Sequence, residues 1–385
     1  MKNIQSEARL TFGEATSIIV GHGVGAGILS IPFLASRNSI FDLVWVLALA
    51  YGTNLLLHYI IAELSYNNNG AQFIKCFETE LFTGRLKKIF TWLAFALLGF
   101  SVIVNVSGFL TGAAAVFGSW FGMPRIGGVL LFYLIGGSVV FFGMKLVGLC
   151  EKVAVVSMLA VIGVLVVGTL RGETQSFSGD FVSLTNVLAL YSMIAFALSA
   201  VMSVPQVVKG LDGDVKKIRA SIALGTGINL FLILVITLTT LAGVGRDISQ
   251  NGALVDLSEH LGGWVGIIGY IFTLLALATS FWANTLDLRD IVNEQTRWGV
   301  RSSWAAATLP SLAIALLGVT SFVGFTRLAS IVQVLTGVGV IVAYNRSRRR
   351  MGTSPICGRV GTLPFQLLVL VASVASTVGA LLKIN

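Results

Sequence analysis

The sequence predicts an all-α membrane protein with eleven transmembrane helices, and three observations support this fold class. Of its 385 residues, 55% are hydrophobic and only 11% are charged, and the mean hydropathy is +0.89. Soluble domains carry about 25% charged residues. Eleven apolar segments of bilayer-spanning length follow one another, joined by loops too short to fold alone. The basic residues sort strongly between alternate loops. We therefore predict one integral membrane domain, residues 1–385.

The predicted spans also fix an orientation. If the eleven segments all cross, twenty of the 26 Lys and Arg residues fall on one side and six on the other. The positive-inside rule then places the amino terminus in the cytoplasm and the carboxyl terminus outside the cytoplasmic (inner) membrane. The net charge of +9 thus indicates topology, with anionic lipid as a possible contact near residues 346–350, and not nucleic-acid binding. The spans are 14–36, 40–64, 89–119, 126–143, 150–170, 182–209, 218–243, 262–288, 303–320, 324–344 and 363–382.

Eleven spans allow two repeats of five and one extra helix. The first repeat, about 14–170, begins in the cytoplasm, and the second, about 182–344, begins outside, so the two have inverted topology. The extra helix is 363–382. Inverted repeats carry interrupted helices at matching positions, and their ligands bind there. The first and sixth spans are therefore the places to search.

The first span contains the stretch 21-GHGVGAGILSIP-32. Each glycine costs a helix roughly 1 kcal/mol relative to alanine, and the stretch ends in proline. A break at membrane depth would expose carbonyls that suit a cation and amides that suit a carboxylate. The alternative is close helix packing, since G-x-x-x-G repeats within the stretch. The sixth span has a weaker interruption in 195-AFALSAVMSVP-205, where Pro205 follows small and hydroxyl residues.

The eighth span contains adjacent hydroxyls, Thr279 and Ser280, in 273-TLLALATSFWANTLDLRD-290. Two such oxygens can bind a hard cation, although a Ser or Thr hydroxyl often bonds to its own helix. We find no carboxylate at the centre of any span. Coordination by neutral oxygens alone would favour a monovalent ion over calcium or magnesium.

Ionisable side chains within spans are functional candidates. His22 lies in the first-span break, where it could carry a proton or hydrogen-bond neutrally to unwound backbone. Glu63 lies near the predicted cytoplasmic end of the second span, a position that suits gating better than substrate binding. Asn105 and Ser199 are candidate pocket residues, with interhelical hydrogen bonding as the alternative. We find no catalytic constellation, and the three scattered cysteines indicate neither a disulfide nor a metal site.

Three stretches resemble the amino acid/auxin permease group, and most closely the hydroxy and aromatic amino acid permeases of the amino acid–polyamine–organocation superfamily. They are 25-GAGILSIP-32, 203-SVPQVVKGLDGDVKKIRASIALGTGINL-230 and 279-TSF-281. The resemblance implies the leucine-transporter fold. It further implies a sodium site, because 276-ALATS-280 is similar to the eighth helix of sodium symporters of that fold. The implied sodium ligands are the Gly21, Val24 and Ala276 carbonyls and the Thr279 and Ser280 hydroxyls.

The same resemblance places a substrate carboxylate on the amides of Gly25, Ala26 and Gly27. The substrate amine would meet carbonyls near Gly23, Val24, Ala197 and Ser199, with Asn105 close by. Two departures limit the comparison. Ile28 stands where a second sodium site would need an asparagine side chain. The segment 198-LSAV-201 replaces the sixth-helix motif of aromatic permeases, so the resemblance does not identify the substrate.

We therefore expect secondary active amino acid transport by alternating access, coupled to Na⁺, with no other cofactor and no obligatory protein partner. Proton coupling is the principal alternative. A non-transporting sensor or scaffold on the same fold is an alternative of another class, although such proteins typically carry a signalling domain that these short loops cannot hold. The sequence predicts neither an enzyme nor a channel.

Overall fold

The computed structural model describes residues 9–172, 174–175, 183–249, 253–318 and 322–382. Within these ranges the chain forms fifteen α-helices and three short 3₁₀ turns. The helices are α1 Phe12–Gly23, α2 Ile31–Ser36, α3 Ile40–Tyr66, α4 Phe73–Glu80, α5 Lys87–Phe121, α6 Arg125–Phe141, α7 Met144–Arg171, α8 Leu184–Ala197, α9 Val204–Gly210, α10 Val215–Val244, α11 Ala253–Leu261, α12 Gly263–Thr296, α13 Val300–Leu317, α14 Phe322–Met351 and α15 Leu363–Leu381. The 3₁₀ turns are Ala26–Ser30, Val201–Ser203 and Gly358–Gly361.

Every predicted span contains helix, and the first and sixth are each divided. The first consists of α1, a 3₁₀ turn and α2, with a bend of 51° between its two arms. The sixth consists of α8, a 3₁₀ turn and α9. By length and hydropathy, the described residues contain eight helices able to cross a membrane, or nine with the bent pair; α6, at 17 residues, is shorter. The total of eleven crossings and the inverted repeat remain predictions.

Two helices in loops were not predicted. The α4 helix is only eight residues long and buries one face, including Phe73, Ile74 and Phe77. The α11 helix, of nine residues, lies against α12 and α10. Both are short and amphipathic, so a search for long apolar segments passes over them.

The α1 helix occupies the middle of the bundle. It packs against α7, α10 and α12, and Ala15, Ile18, Ile19 and Val20 are fully buried. A capping box fixes its start: the Thr11 hydroxyl accepts from the Glu14 amide, and the Glu14 carboxylate accepts from the Thr11 amide. Because α1 is surrounded by protein, its break is enclosed by side chains of other helices and not by lipid.

Candidate functional site

The first span is interrupted at Val24. Its φ of −74° and ψ of 75° form an inverse γ-turn, in which the Gly25 amide donates to the Gly23 carbonyl at 2.8 Å. Gly25 is then extended, with φ −91° and ψ 178°, before the 3₁₀ turn begins. The predicted break is therefore present in the structure, and it falls in the second half of the glycine-rich stretch.

The glycines of this stretch provide space, since none of them adopts a positive φ. A Cβ on Gly21 would overlap the Glu151 carboxylate, and a Cβ on Gly23 would overlap the Asn229 amide group. Gly25 and Gly27 are less crowded, with their nearest neighbours 3.4 Å from an added Cβ. Both interpretations from sequence are thus partly right: the chain breaks, and the earlier glycines also allow close packing.

The sixth span breaks without any glycine. The α8 helix ends at Ala197, Ala200 has φ −118° and ψ 30°, and α9 begins at Val204 with Pro205 in its first turn. His58 on α3 holds this break, because its Nε2 accepts from the Ala200 amide at 3.0 Å. An accepting Nε2 places the proton of a neutral ring on Nδ1, which lies 3.3 Å from Thr226 Oγ1.

The two breaks adjoin each other. The Ala197 carbonyl oxygen would lie 3.1 Å from a Cβ on Gly23, and Phe196 and Met193 of α8 would lie 3.4 Å and 3.5 Å from a Cβ on Gly27. The predicted substrate residues Gly23, Val24, Gly25, Gly27, Ala197 and Ser199 therefore occupy one neighbourhood, together with the backbone of Ala26.

The predicted cation ligands also come together. Thr279 Cβ would lie 3.0 Å from a Cβ on Gly21, and Ser280 Oγ would lie 3.4 Å from a Cβ on Gly25. Thr279 Oγ1 donates to the Ala276 carbonyl at 3.0 Å, which is the bonding expected of a hydroxyl within a helix, yet its lone pairs stay available. Ser280 Oγ is buried and has no hydrogen-bond partner among the described residues. A Ser280 hydroxyl oxygen without a hydrogen-bond partner among these residues is free to bind a cation at this position.

His22 bonds to a side chain rather than to unwound backbone. Its Nδ1 lies 2.8 Å from Ser203 Oγ in the sixth-span turn and 3.7 Å from Asp287 Oδ2 on α12. Ser203 Oγ lies 3.5 Å from the same carboxylate oxygen. His22 lies in the last turn of α1, just before the break, and the cluster joins this turn and the sixth-span turn to α12. The alternative of a bond to unwound backbone was wrong in detail, and the proton-carrying alternative stays a prediction.

The sequence places no carboxylate at the centre of a span, yet two carboxylates nearer to helix ends are buried inside the bundle. Glu151 on α7 and Asp287 on α12 are both fully buried. Sequence analysis did not single out Glu151, because it lies at the predicted cytoplasmic end of the fifth span, close to Lys145 and Lys152. Its helical spacing was informative, since Gly148, Glu151 and Val155 recur on the buried face of α7.

Asn105 takes part in a different contact from the one predicted. Its Nδ2 donates to Asn284 Oδ1 on α12 at 3.3 Å, and Asn284 in turn donates to the Ser280 carbonyl at 2.8 Å. The structure therefore links Asn105 to the cation-site helix through an interhelical hydrogen bond, which was the alternative reading of this residue.

Glu63 holds a loop at the end of α3. Its Oε2 accepts from the amides of Ile356 at 3.0 Å and Cys357 at 2.7 Å, in the connection between α14 and α15. Glu63 is fully buried. Burial raises the pKa of the Cys357 thiol, and the nearby Glu63 charge raises it further. Glu63 therefore binds a loop, and its role in gating stays a prediction.

The sequence matches the model of the tryptophan/tyrosine permease family over residues 10–376. The tryptophan-specific transport protein of Haemophilus influenzae is 23% identical, with 98% of this chain and 97% of that protein aligned. Tyrosine-specific transport system 2 of the same organism is 26% identical, over 70% of each chain.

Two solved structures have the same fold. One is Mhp1, a nucleobase-cation-symport-1 family transporter, in a closed conformation with bromovinylhydantoin bound; the TM-score is 0.67 at 14% identity, covering 98% of this chain and 94% of that one. The other is MhsT in complex with L-phenylalanine, with a TM-score of 0.66 at 13% identity and coverage of 96% and 98%. These likenesses confirm the leucine-transporter fold, and the family match confirms the aromatic permease resemblance. The protein is therefore not an enzyme: the chain belongs to the tryptophan/tyrosine permease family.

Proposed function

We propose that this protein is a secondary active transporter of aromatic amino acids, working by alternating access and coupled to sodium. The observation that carries the proposal is the meeting of two interrupted spans, with Gly23 of one beside the Ala197 carbonyl of the other. Paired breaks of this kind supply amides and carbonyls at one point within a protein interior. The aromatic class comes from the family and from the two Haemophilus relatives.

The substrate carboxylate would lie on the amides of Gly25, Ala26 and Gly27. The Ala26 and Gly27 amides lie at the start of a 3₁₀ turn, and the first amides of a helical turn have no partner within it. The Gly25 amide precedes that turn and donates to the Gly23 carbonyl, so it would have to be shared with the carboxylate. The amine would meet carbonyls of the two breaks around Val24, Ala197 and Ser199. An aromatic side chain would find apolar surface at Phe196 and Met193, which face Gly27.

Alternating access would move part of the bundle, comprising the first, second, sixth and seventh spans, against the rest. Several contacts cross the boundary between these parts, and two of them are central to the site. One joins Gly21 to Thr279, and the other joins His22 to Asp287. A cation bound between the parts would shift the equilibrium by its differential affinity for the two states.

The donor set supports sodium as the coupling ion. The hydroxyls of Thr279 and Ser280 and the carbonyls of Gly21, Val24 and Ala276 are oxygen ligands of the type that hard cations prefer. Proton coupling is the alternative ion mechanism, and a sensor without flux is the alternative of another class. We further propose a multi-pass protein of the inner membrane, with its amino terminus in the cytoplasm and its carboxyl terminus outside.

Uptake by proteoliposomes tests this function. Radiolabelled tryptophan, tyrosine, phenylalanine and leucine are offered with sodium and proton gradients imposed separately. We expect concentrative uptake of aromatic amino acids under the sodium gradient, and its loss in Thr279→Ala. The matched control is Thr377→Ala on α15, since Thr377 also bonds back to its own helix, at 2.9 Å from the Ser373 carbonyl.

The other outcomes contradict defined parts of the proposal. Uptake driven only by the proton gradient would overturn sodium coupling and leave the substrate class intact. Binding of tryptophan without uptake under either gradient, by folded protein, would favour the sensor. Uptake of leucine in preference to the aromatic substrates would overturn the substrate class.

A further inference from the structure

Glu151 is a buried carboxylate that the predicted sodium and substrate sites do not include. It lies two turns into α7 and has no exposed surface. Neither of its carboxylate oxygens has a hydrogen-bond partner within the described part of the chain. An ionised carboxylate in such a position is costly unless a ligand or counter-charge compensates it.

The carboxylate points at the predicted cation site. A Cβ on Gly21 would overlap Glu151 Oε2, and the same Cβ would lie 3.0 Å from Thr279 Cβ. Glu151 thus reaches a point shared by α1 and α12, and only a glycine at position 21 leaves room for its oxygen. Two of the predicted sodium ligands, Gly21 and Thr279, are its immediate neighbours.

Among the described residues, no lysine or arginine near Glu151 supplies the missing charge. Lys152, the next residue, is exposed. Lys145 lies one turn and a half earlier on α7 and pairs with Glu14 at 2.6 Å. The other polar groups at the site are hydroxyls and carbonyls, which are neutral. A positive ligand at this point would have one carboxylate, several neutral oxygens and the orphaned Ser280 Oγ around it.

We propose that Glu151 is the anionic ligand of the coupling cation, which we take to be sodium. The site then consists of one carboxylate and neutral oxygens, so that a bound monovalent ion makes it electrically neutral. Because Gly21 belongs to one part of the bundle and Glu151 and Thr279 to the other, the ion holds the two parts together. This inference rests on the proposed sodium-coupled function and adds a residue that determines how tightly the ion binds.

The test measures sodium binding without transport. Purified protein in lipid nanodiscs is heated in increasing NaCl, with choline chloride keeping the ionic strength constant. A ligand that binds only the folded state raises the melting temperature in a saturable manner. We expect saturable stabilisation of the wild type, and a sodium midpoint raised by roughly tenfold or more in Glu151→Gln, because the charge is lost and the shape is kept.

Two further variants keep the test decisive. Glu151→Asp retains the charge on a side chain one methylene shorter, so its midpoint should lie between those of the wild type and Glu151→Gln; should Glu151→Gln fail to fold, an unchanged midpoint in Glu151→Asp overturns the proposal. Glu78→Gln is the control for charge removal, since Glu78 forms a surface pair with Lys75. Its midpoint should match that of the wild type.

The outcomes separate the two proposals. If the wild type shows sodium stabilisation and sodium-driven uptake, and Glu151→Gln keeps the same midpoint, only the role of Glu151 fails. If the wild type transports aromatic amino acids but sodium neither stabilises it nor drives uptake, sodium coupling fails, and the role of Glu151 as a sodium ligand fails with it. If the wild type is stabilised by sodium through Glu151 but transports nothing, the transport function fails and the ion site stands.

Discussion

The two interrupted spans accommodate their breaks in different ways. In the first, Gly21 and Gly23 leave room for side chains of other helices, Glu151 and Asn229, to approach the backbone. In the sixth, whose break contains no glycine, His58 accepts from the Ala200 amide and satisfies this freed backbone group. The first break therefore depends on space and the second on a hydrogen bond. This difference predicts that substitutions in the two breaks will fail in different ways.

The largest effect is expected from Gly21→Ala. The added Cβ would overlap Glu151 Oε2, the mobile end of a side chain, so the carboxylate can move aside while the fold survives. We expect sodium-driven uptake to fall by roughly tenfold or more, with a small change in melting temperature. Gly52→Ala on α3 is the matched control, because no atom lies within 4 Å of its added Cβ. Wild-type uptake by Gly21→Ala would show that the space at this position is not required.

The next effect tests whether that substitution acts through Glu151. In a Glu151→Ala background the obstructing carboxylate is absent, so adding Gly21→Ala should not raise the sodium midpoint of thermal stabilisation any further. Residues in contact give non-additive effects, whereas independent sites add within about 0.5 kcal/mol. An additive increase of the sodium midpoint in the double variant would mean that the Cβ acts on something other than Glu151.

Removal of the His58 imidazole from the sixth-span break should lower the free energy of unfolding more than it lowers the affinity for the ion. His58→Ala leaves the Ala200 amide buried without an acceptor, which costs about 1–3 kcal/mol. The measurement is chemical or thermal unfolding of the purified protein. The glutamine of His58→Gln can still accept a hydrogen bond from the Ala200 amide, so this variant should lose less unfolding free energy. The control is His260→Ala on α11, outside both breaks. Equal losses of unfolding free energy in His58→Ala and His260→Ala would show that the sixth-span break does not depend on the His58 hydrogen bond.

The smallest effect is expected at the contact between the two breaks. Ser203→Ala removes the hydroxyl 2.8 Å from His22 Nδ1, and one hydrogen bond contributes about 1 kcal/mol. We expect a small fall in melting temperature and a measurable change in uptake rate, since the cluster also reaches Asp287 on α12. Ser373→Ala on α15 is the control, because the Ser373 hydroxyl bonds only to the Val369 carbonyl of its own helix among the described contacts. Identical uptake by the two variants would argue against coupling through His22.

Sequence reasoning located the backbone features well and the side-chain partners poorly. Four alternate glycines and a proline are a local pattern, so the first break could be found from residues 21–32 alone. The partner of Asn105 is Asn284, 179 positions away, and no local pattern indicates it. Glu151 was missed for another reason: it lies at the predicted cytoplasmic end of a span beside Lys152, a position where a carboxylate is usually solvated, although the packing of α7 buries it.

The contact between Glu63 and the loop before α15 has a consequence for how the protein is made. Its two amide donors, at Ile356 and Cys357, lie 293 and 294 positions further along the chain. Chains are synthesised from the amino terminus, so α3 must wait for nearly the entire polypeptide before its buried carboxylate is satisfied. Until then the negative charge also opposes the dipole at the carboxyl end of α3. We expect a chain truncated before this loop to leave the Glu63 carboxylate without these two donors, and hence to be less stable than the full chain.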